Sequence, residues 1–421
     1  MMSEHSVYVQ HQLPIKAISQ QAIEVIKKLT AEGYEAYLVG GCVRDLLLNV
    51  QPKDFDVATN ALPEQVHQLF SNSRLIGRRF KLVHVGYGRN TIEVATYRAP
   101  PQQTKNTHPT GRIIQDNQFG SIEQDAQRRD FTINALFYDI HQMTIIDYTA
   151  GMIDLNDRVV RIIGEANTRY REDPVRILRA IRFKAKLGLA IEEKTASLIA
   201  PLAHLLTAIP AARLFDEVLK LYLTGHARSS HQLLVDYQVL DYLFPATVTA
   251  LTARQETTDR LLIERALYNT DQRITARKPV TPAFLYAVLL WPVLKQKWVA
   301  YQAQHPLAVA MQKAAIEVIG QQYQTTAIPK RFAIIVRDIW QLQIKLEQRH
   351  GKRAWRTLSH PKFRAGYDFL LLRVEAGEPL AELAQWWTDF QFASSEQQQQ
   401  QVAAIKPTTQ RYRRRQRKKR H

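Results

Sequence analysis

Asp54 and Asp56, in the segment KDFDVATN, carry the most pointed chemistry in this 421-residue chain. They flank one apolar residue at the head of a β-like run, and on a strand residues i and i+2 face the same way, about 6.5 to 7 Å apart. Two carboxylates so placed repel unless a cation sits between them. Two divalent ions about 3.5 to 4 Å apart would use both. Hard oxygen ligands and a phosphate-bearing substrate select Mg2+. Upstream lies LVGGCVRD, which reads as a strand, the pair Gly40–Gly41, and a helix carrying Arg44. Two glycines let backbone N–H groups approach a triphosphate where the helix dipole favours anions. No GK[ST] follows and no third glycine is spaced for a dinucleotide fingerprint. Each feature alone reads equally as a solvated edge or an ordinary turn; their order and spacing, ten to fifteen residues apart, give them weight.

These residues need a sheet with helices packed on it. SQQAIEVIKKLTAEG repeats apolar residues at helical spacing (Ala22, Ile23, Ile26, Leu29), with Ser19 as N-cap and Gly33 as stop. YEAYLVGG, FDVAT, KLVHVGY, TIEVATYR and TIIDYT read as strands, with VRDLLL and PEQVHQLF as helices. Ten of the 16 glycines precede residue 165, and glycine is costly inside helices. Beyond that point AARLFDEVLKLYL, HQLLVDYQVLDYLF, AVAMQKAAIEVIGQQ and KRFAIIVRDIWQLQIKLEQ are helical in pattern, with no fixed repeat. The fold class is therefore α+β: a small mixed sheet with helices, followed by an all-helical region. SEQQQQQ, 395–401, reads as the frayed end of the folded body.

The pattern GG-x-V-R-D…D-F-D resembles the class II branch of the polymerase-β-like nucleotidyltransferases, which holds tRNA CCA-adding enzymes and bacterial poly(A) polymerases. The resemblance implies a nucleotidyltransferase palm. RRDFTINAL, 128–136, resembles the second signature, in which Arg129 would touch the nucleotide phosphates. The aspartate matching Asp130 is counted as catalytic with the D-x-D pair in the bacterial poly(A) polymerases. Glu93, on a neighbouring strand, is a rival third carboxylate, and Asp130 read plainly caps the segment after it.

REDPVRILRAIRF, 171–183, resembles the third signature, a nucleotide-selecting helix with Glu172, Asp173, Arg176, Arg179 and Arg182 as nucleotide-binding residues. The three arginines recur every three positions on one side, and Val175, Ile177, Leu178 and Ile181 supply the packing side. Asp173 would accept from an exocyclic amino group and Arg176 would donate to the adjacent ring nitrogen. Adenine and cytosine both present that pair, so the motif allows either. Read plainly, Asp173–Pro174 is a cap and first turn. LIGRRFKLVHV, with Arg78, Arg79 and Lys81, resembles the segment that sets the bacterial poly(A) polymerases apart, and AIPKRF and GKRAWRTLSHPKFRAGYDFLLLR resemble their C-terminal region. The resemblance covers roughly residues 15–390. Cys42 departs from it, at a position where a small residue is more usual.

Charge agrees with a polyanionic partner: 57 Lys and Arg against 39 Asp and Glu give a net +18. Residues 406–421 hold nine of those cations and no acid, including Arg411, Arg413, Arg414, Arg415, Arg417, Lys418, Lys419 and Arg420. Such a block reads as a disordered arm on phosphates, or as a solubilising tail. In KRAWRTLSHPKFRAGY, Lys352, Arg353, Arg356, Lys362 and Arg364 alternate with Trp355, Phe363 and Tyr367, a pattern for single-stranded RNA or for a helical core.

The 13 histidines form no HExxH or His-Asp doublet, GxSxG is absent, and one cysteine allows no internal disulfide. No export pattern opens the chain and PAFLYAVLLWPVL is too short to span a bilayer, so a cytoplasmic location is expected. The expected organisation is a palm at 1–165, a nucleotide-selecting neck at 166–235, an RNA-binding body at 236–395 and a basic tail at 396–421. The expected reaction, implied by the resemblance, is template-independent transfer of AMP from ATP to RNA 3′ ends, with pyrophosphate released and RNA processing and decay promoted. The alternatives are CCA addition on the same fold and a non-catalytic RNA-binding protein on a degenerate palm.

Overall fold

In the computed structural model, which describes residues 7–77, 81–100, 118–254 and 257–405, helix α1 (Gln20–Ala31) begins where Ser19 Oγ accepts from the Ala22 N–H. It ends before Gly33, whose φ of +82° turns the chain. Ala22, Val25, Ile26 and Leu29 are fully buried on it, so Val25 rather than Ile23 completes the inward stripe. Burying each of the three larger side chains contributes about 1.5–3 kcal/mol, against about 1 kcal/mol for the cap. Packing holds this helix.

The chain divides into two units between Ala208 and Ile209. In the first, β1 (Val7–Gln10), β2 (Ala36–Val39), β3 (Asp56–Thr59), β4 (Ser73–Ile76), β5 (Leu82–Tyr87), β6 (Asn90–Thr96), β7 (Leu136–Asp139) and β8 (Thr144–Asp147) form one sheet. Its order is β1-β8-β7-β2-β3-β6-β5-β4. The β3–β6 pair is parallel and the others are antiparallel. Leu38, Val57, Val83, Val85 and Val94 fill its core, and α1 packs on β2 and β3. Three strands of this sheet, β1, β4 and β7, go beyond the sequence reading, as does a separate parallel pair, Val159–Val160 with Ala190–Ile191.

Further helices of this unit are α2 (Gly41–Leu47), α3 (Pro63–Leu69), α4 (Ile122–Arg128), α5 (Gly151–Asn156), α6 (Ala166–Glu172) and α7 (Val175–Leu187). A reciprocal box between Ser121 and Gln124 starts α4. Val175, Ile177, Leu178 and Ile181 are the fully buried side of α7, as the spacing predicts.

The second unit is helical throughout its described residues. HQLLVDYQVLDYLF is not one helix: it breaks at Gln238, whose φ is +56°, into Ala227–Asp236 and Leu240–Leu243. PAFLYAVLLWPVL is the buried helix Pro282–Leu289 and the start of Trp291–Gln302, and among the described residues no helix is long and apolar enough to cross a membrane. The glutamine run corrects the expectation of a frayed end. Ser394 and Gln397 cap the helix Ser395–Ala403, Val402 is buried, and Gln398 accepts from Trp355 Nε1 while donating to the Phe390 carbonyl. The tail from 406 onward lies outside the described residues.

Candidate active site

Register brings the acidic pair to the double-glycine bend. Val39, the last residue of β2, is the ladder partner of Asp56, the first of β3. Phe55 is buried, Asp56 half-buried and Asp54 exposed, the alternation expected of a strand entering a core. On the other side of β3, Asp56 is in register with Glu93 of β6. Glu93 in turn lies 3.8 Å from His84 Nε2 on β5. Burial, then Glu93, pushes the Asp56 carboxyl up to about 6; Arg129 pulls against this and Asp54 adds to it. Three carboxylates thus crowd one end of a sheet.

Gly40 has φ +77°, a conformation that glycine adopts freely. A Cβ there would lie 3.3 Å from Arg129 Nη1 and 3.5 Å from the Asn134 carbonyl, so the bend and Arg129 are in direct contact. Arg129 is held from behind: its Nε and Nη2 donate to Asp125 Oδ2 at 3.0 and 2.9 Å. Gly41 begins α2 and lies next to Arg44. Arg44 itself turns inward. It is 4% exposed, donates to Asp45 Oδ1 through Nε and Nη2 and to Asn134 Oδ1 through Nη1, and lies over the Phe183 ring.

Asp130 is also engaged. Its carboxylate accepts from Arg179 Nε, from Asn134 Nδ2 and from the Phe131 N–H. Burial raises this carboxyl, but Arg179 and those hydrogen bonds outweigh it and bring it down to about 2. Asn134 therefore joins Asp130 to Arg44, and Lys186 on α7 reaches Asp45 at 3.4 Å. Arg179 and Arg182 both lie over Phe183.

At the start of α7, Asp173 Oδ1 accepts from the Val175 N–H at 3.3 Å, so it does cap the helix. Arg176 is 8% exposed and donates to Glu172 Oε2 at 3.1 Å. Several neighbours escaped the sequence reading. Burial, with Arg98, Arg129, Arg169 and Arg176, pushes the Arg128 guanidinium down to about 9, as crowded like charges do. The Asp125–Arg129 spacing of four was visible in the sequence; Asn134, Phe183 and Arg169 carried no local signal.

Among the described residues no group of three or more His, Cys, Asp and Glu side chains forms a metal cage. Mg2+ ordinarily uses one or two carboxylates together with substrate phosphates. The hard, exposed oxygens of Asp54 and the raised carboxyl of Asp56 fit that mode.

The predicted RNA-contacting stretch lies in the second unit, on the helices Arg353–Leu358 and Phe363–Glu375. Lys352, Arg353 and Arg356 are exposed. Phe363 and Tyr367 are core residues stacked on each other, and Trp355 packs edge-on to Phe390. Here the helical-core reading is the right one for Phe363 and Tyr367, which share a core with Trp387, while Trp355 is only half-buried. A shallow depression lined by Lys352, Trp355, Arg356, Leu358 and Ser359 remains at the surface. Arg78, Arg79 and Arg411 to Arg420 lie outside the described residues; Lys81 pairs with Glu64 at 3.0 Å.

Comparison with known proteins completes the picture. The family model described as poly A polymerase head domain matches residues 36–161. Those described as a probable RNA and SrmB-binding site of polymerase A and as polymerase A arginine-rich C-terminus match 188–251 and 303–421. Poly(A) polymerase I of Escherichia coli O157:H7 is 48% identical over 396 residues, covering 91% of this chain and 85% of its own. Poly(A) polymerase I of Haemophilus influenzae is 45% identical over 390 residues, 90% and 86% of the two chains. The solved structure of a Thermotoga maritima CCA-adding enzyme complexed with tRNA superposes with a TM-score of 0.62 at 18% identity, covering 93% of this chain and 88% of that one. That last likeness is one of fold.

Proposed function

The chain belongs to the bacterial poly(A) polymerase I family, and from that premise we propose that it transfers AMP from ATP to the 3′ ends of single-stranded RNA in the cytoplasm, releasing pyrophosphate. The observation that carries this reading is the convergence of Asp56 and Glu93 in register with Gly40 and Arg129 beside them. An RNA 3′-oxygen attacks the α-phosphorus of ATP, the bond from that phosphorus to the β-phosphate bridge oxygen breaks, and the hydroxyl proton leaves to a carboxylate or solvent. Asp54 and Asp56 would hold two Mg2+ ions, which would lower the pKa of the attacking hydroxyl and neutralise the departing pyrophosphate.

Of the two rivals for third carboxylate, Glu93 is the better supported. Asp130 is tied to Arg179, Asn134 and a backbone N–H, and a carboxyl near 2 is a poor proton acceptor. Its role here is to anchor Arg179 on the nucleotide-selecting helix. Arg129, with the N–H group of Gly41, receives the triphosphate, while the Gly40 N–H donates to the Leu136 carbonyl at 3.0 Å and holds the bend to the sheet. Arg44 acts as an internal strut under that bend. Asp173 and Arg176 read the base, and Arg182 completes the basic side of α7. Exposed Lys352, Arg353 and Arg356, with the cations of 411–420, bind RNA phosphates without reading sequence.

The test is extension of a labelled single-stranded RNA with each nucleoside triphosphate alone in Mg2+. A long ladder with ATP only is expected. Incorporation of C that halts after a short addition would assign CCA addition instead. RNA retention with no extension, unchanged by Asp54→Ala, would assign a binding protein.

A further inference from the structure

Arg169 precedes every motif to which the sequence reading gave a role on the nucleotide-selecting helix, yet it joins that helix to the segment before it. Its side chain is 12% exposed on α6. Nη2 donates to the Arg128 carbonyl at 2.7 Å and to the Arg129 carbonyl, and Nη1 donates to Glu172 Oε2 at 2.7 Å. The same Glu172 oxygen accepts Arg176 Nη1, which also donates to the Arg169 carbonyl at 2.6 Å. The Arg128 and Arg129 carbonyls, of the last residue of α4 and its C-cap, are at the negative end of a helix, where the backbone leaves acceptors for a cation to satisfy. A planar guanidinium reaches both carbonyls and a carboxylate at once; an ammonium on a flexible stem does not hold that geometry. Burial and Arg176 draw its guanidinium down to about 10, which leaves it charged at neutral pH.

We propose that Arg169 is a positioning residue that fixes the span between Arg129, which contacts the phosphates, and Asp173–Arg176, which read the base, and that this span selects adenine over cytosine. The proposal rests on the base-reading assignment made above. Adenine and cytosine present the same amino group and ring acceptor to Asp173 and Arg176, so hydrogen-bond pattern alone cannot separate them. Their pairing edges differ in distance from the sugar: the purine edge lies one ring farther from the triphosphate. A reader held at fixed distance from the phosphate contact accepts one and strands its polar groups against the other, which is where large discrimination arises. The clasp Arg129 carbonyl–Arg169–Glu172–Arg176 sets this distance at the start of α7, and the Asp130–Arg179 pair ties the same two segments one turn farther along.

The experiment measures kcat/KM for ATP and for CTP on an RNA primer, with inhibition by pyrophosphate, for the wild type, Arg169→Gln, Arg169→Lys and Glu172→Gln. The ATP:CTP ratio should fall at least about tenfold in each variant, while pyrophosphate inhibition stays within about twofold because Asp125 still holds the Arg129 side chain. Arg169→Gln with Glu172→Gln should lose no more of the ratio than either alone, as partners in one link must. Glu172→Gln keeps Arg169 in place and carries the test if Arg169→Gln does not fold. Equal losses for ATP and CTP would overturn the clasp and leave Arg169 a purely structural residue. A wild type that extends RNA with ATP and CTP equally would overturn the span as the selector, whereas one that extends with neither would overturn the function on which the clasp rests.

Discussion

Exchanging Glu93 and Asp130 for their amides, one at a time, should separate catalysis from folding. Asp130 has a side chain 12% exposed and faces Arg179, itself 32% exposed. Its carboxyl sits at about 2 against an ordinary 3.8, a gap equivalent to about 2 kcal/mol of native-state stabilisation. The sign follows from the depressed value: the contribution is complete above pH 3.8 and lost as pH falls through about 2. A fully buried pair would cost about 3–5 kcal/mol to break, but Arg179 keeps enough access to water to be rehydrated. Asp130→Asn should therefore cost about 2 kcal/mol at neutral pH, which for a unit of this size lowers Tm by about 4–8 °C.

Glu93 is the opposite case. Its side chain is 46% exposed and its register partner is an aspartate pushed up to about 6. Removing its charge relieves repulsion, so Glu93→Gln should change stability by no more than about 0.5 kcal/mol, while kcat falls by about 100-fold or more. It should also raise the Mg2+ concentration needed for half-maximal rate, and Asp130→Asn should not. Differential scanning fluorimetry, with initial rates of ATP incorporation over a Mg2+ series, reads both. An Asp130→Asn protein with unchanged Tm, a roughly 100-fold lower kcat and a raised Mg2+ requirement, beside a nearly wild-type Glu93→Gln, would refute the assignment.

Gly40→Ala puts a Cβ 3.3 Å from Arg129 Nη1 at φ +77°; strain of about 1–3 kcal/mol and at least about tenfold lower kcat/KM for ATP are expected, and a variant kinetically like the wild type would remove the bend from the site. In the second unit, burial lowers the His231 imidazole to about 4, and the Tyr222 hydroxyl lies 2.8 Å from its Nδ1. That stabilisation is complete above pH 6.5 and fades as pH falls toward 4, so stabilities from urea unfolding at about pH 7.5 and about pH 5 should differ by about 2 kcal/mol, a difference that His231→Asn abolishes. Removing 406–421 should flatten the salt dependence of RNA binding by about 0.7 for each phosphate that the tail neutralises; an unchanged slope would exclude the arm from the interface.

What the sequence disclosed follows the range of the forces involved. Ser19, Gly33 and the buried side of α7 were legible because caps and periodicity are local. β4 was not, since Arg74, Leu75 and Ile76 are exposed on an edge strand and only pairing with β5 defines them. β7 was hidden by burial on both faces, which erases alternation in LFYD. The placement of Asp54, Asp56 and Gly40 at one sheet end was readable because two short strands joined through one helix bring them there. The partners of Arg44 and Asp130 needed the fold: the first turns inward onto Asp45 and Asn134, and the second finds Arg179 forty-nine residues away.

The acids of the site sort into two groups by what neutralises them. Asp45, Asp125, Asp130 and Glu172 each accept from an arginine, and each holds that arginine where α2, α4 or α7 needs it. Asp54, Asp56 and Glu93 have no lysine or arginine ion pair among the described residues, although the unit is rich in arginine. Arg44, Arg176 and Arg179 are held by Asp45, Glu172 and Asp130 instead, and Arg129, which pulls against the raised Asp56 carboxyl, is already bound by Asp125. The chain thus keeps three neighbouring carboxylates together at a cost in repulsion, with only the His84 imidazole 3.8 Å from Glu93 and the already engaged Arg129 to set against it.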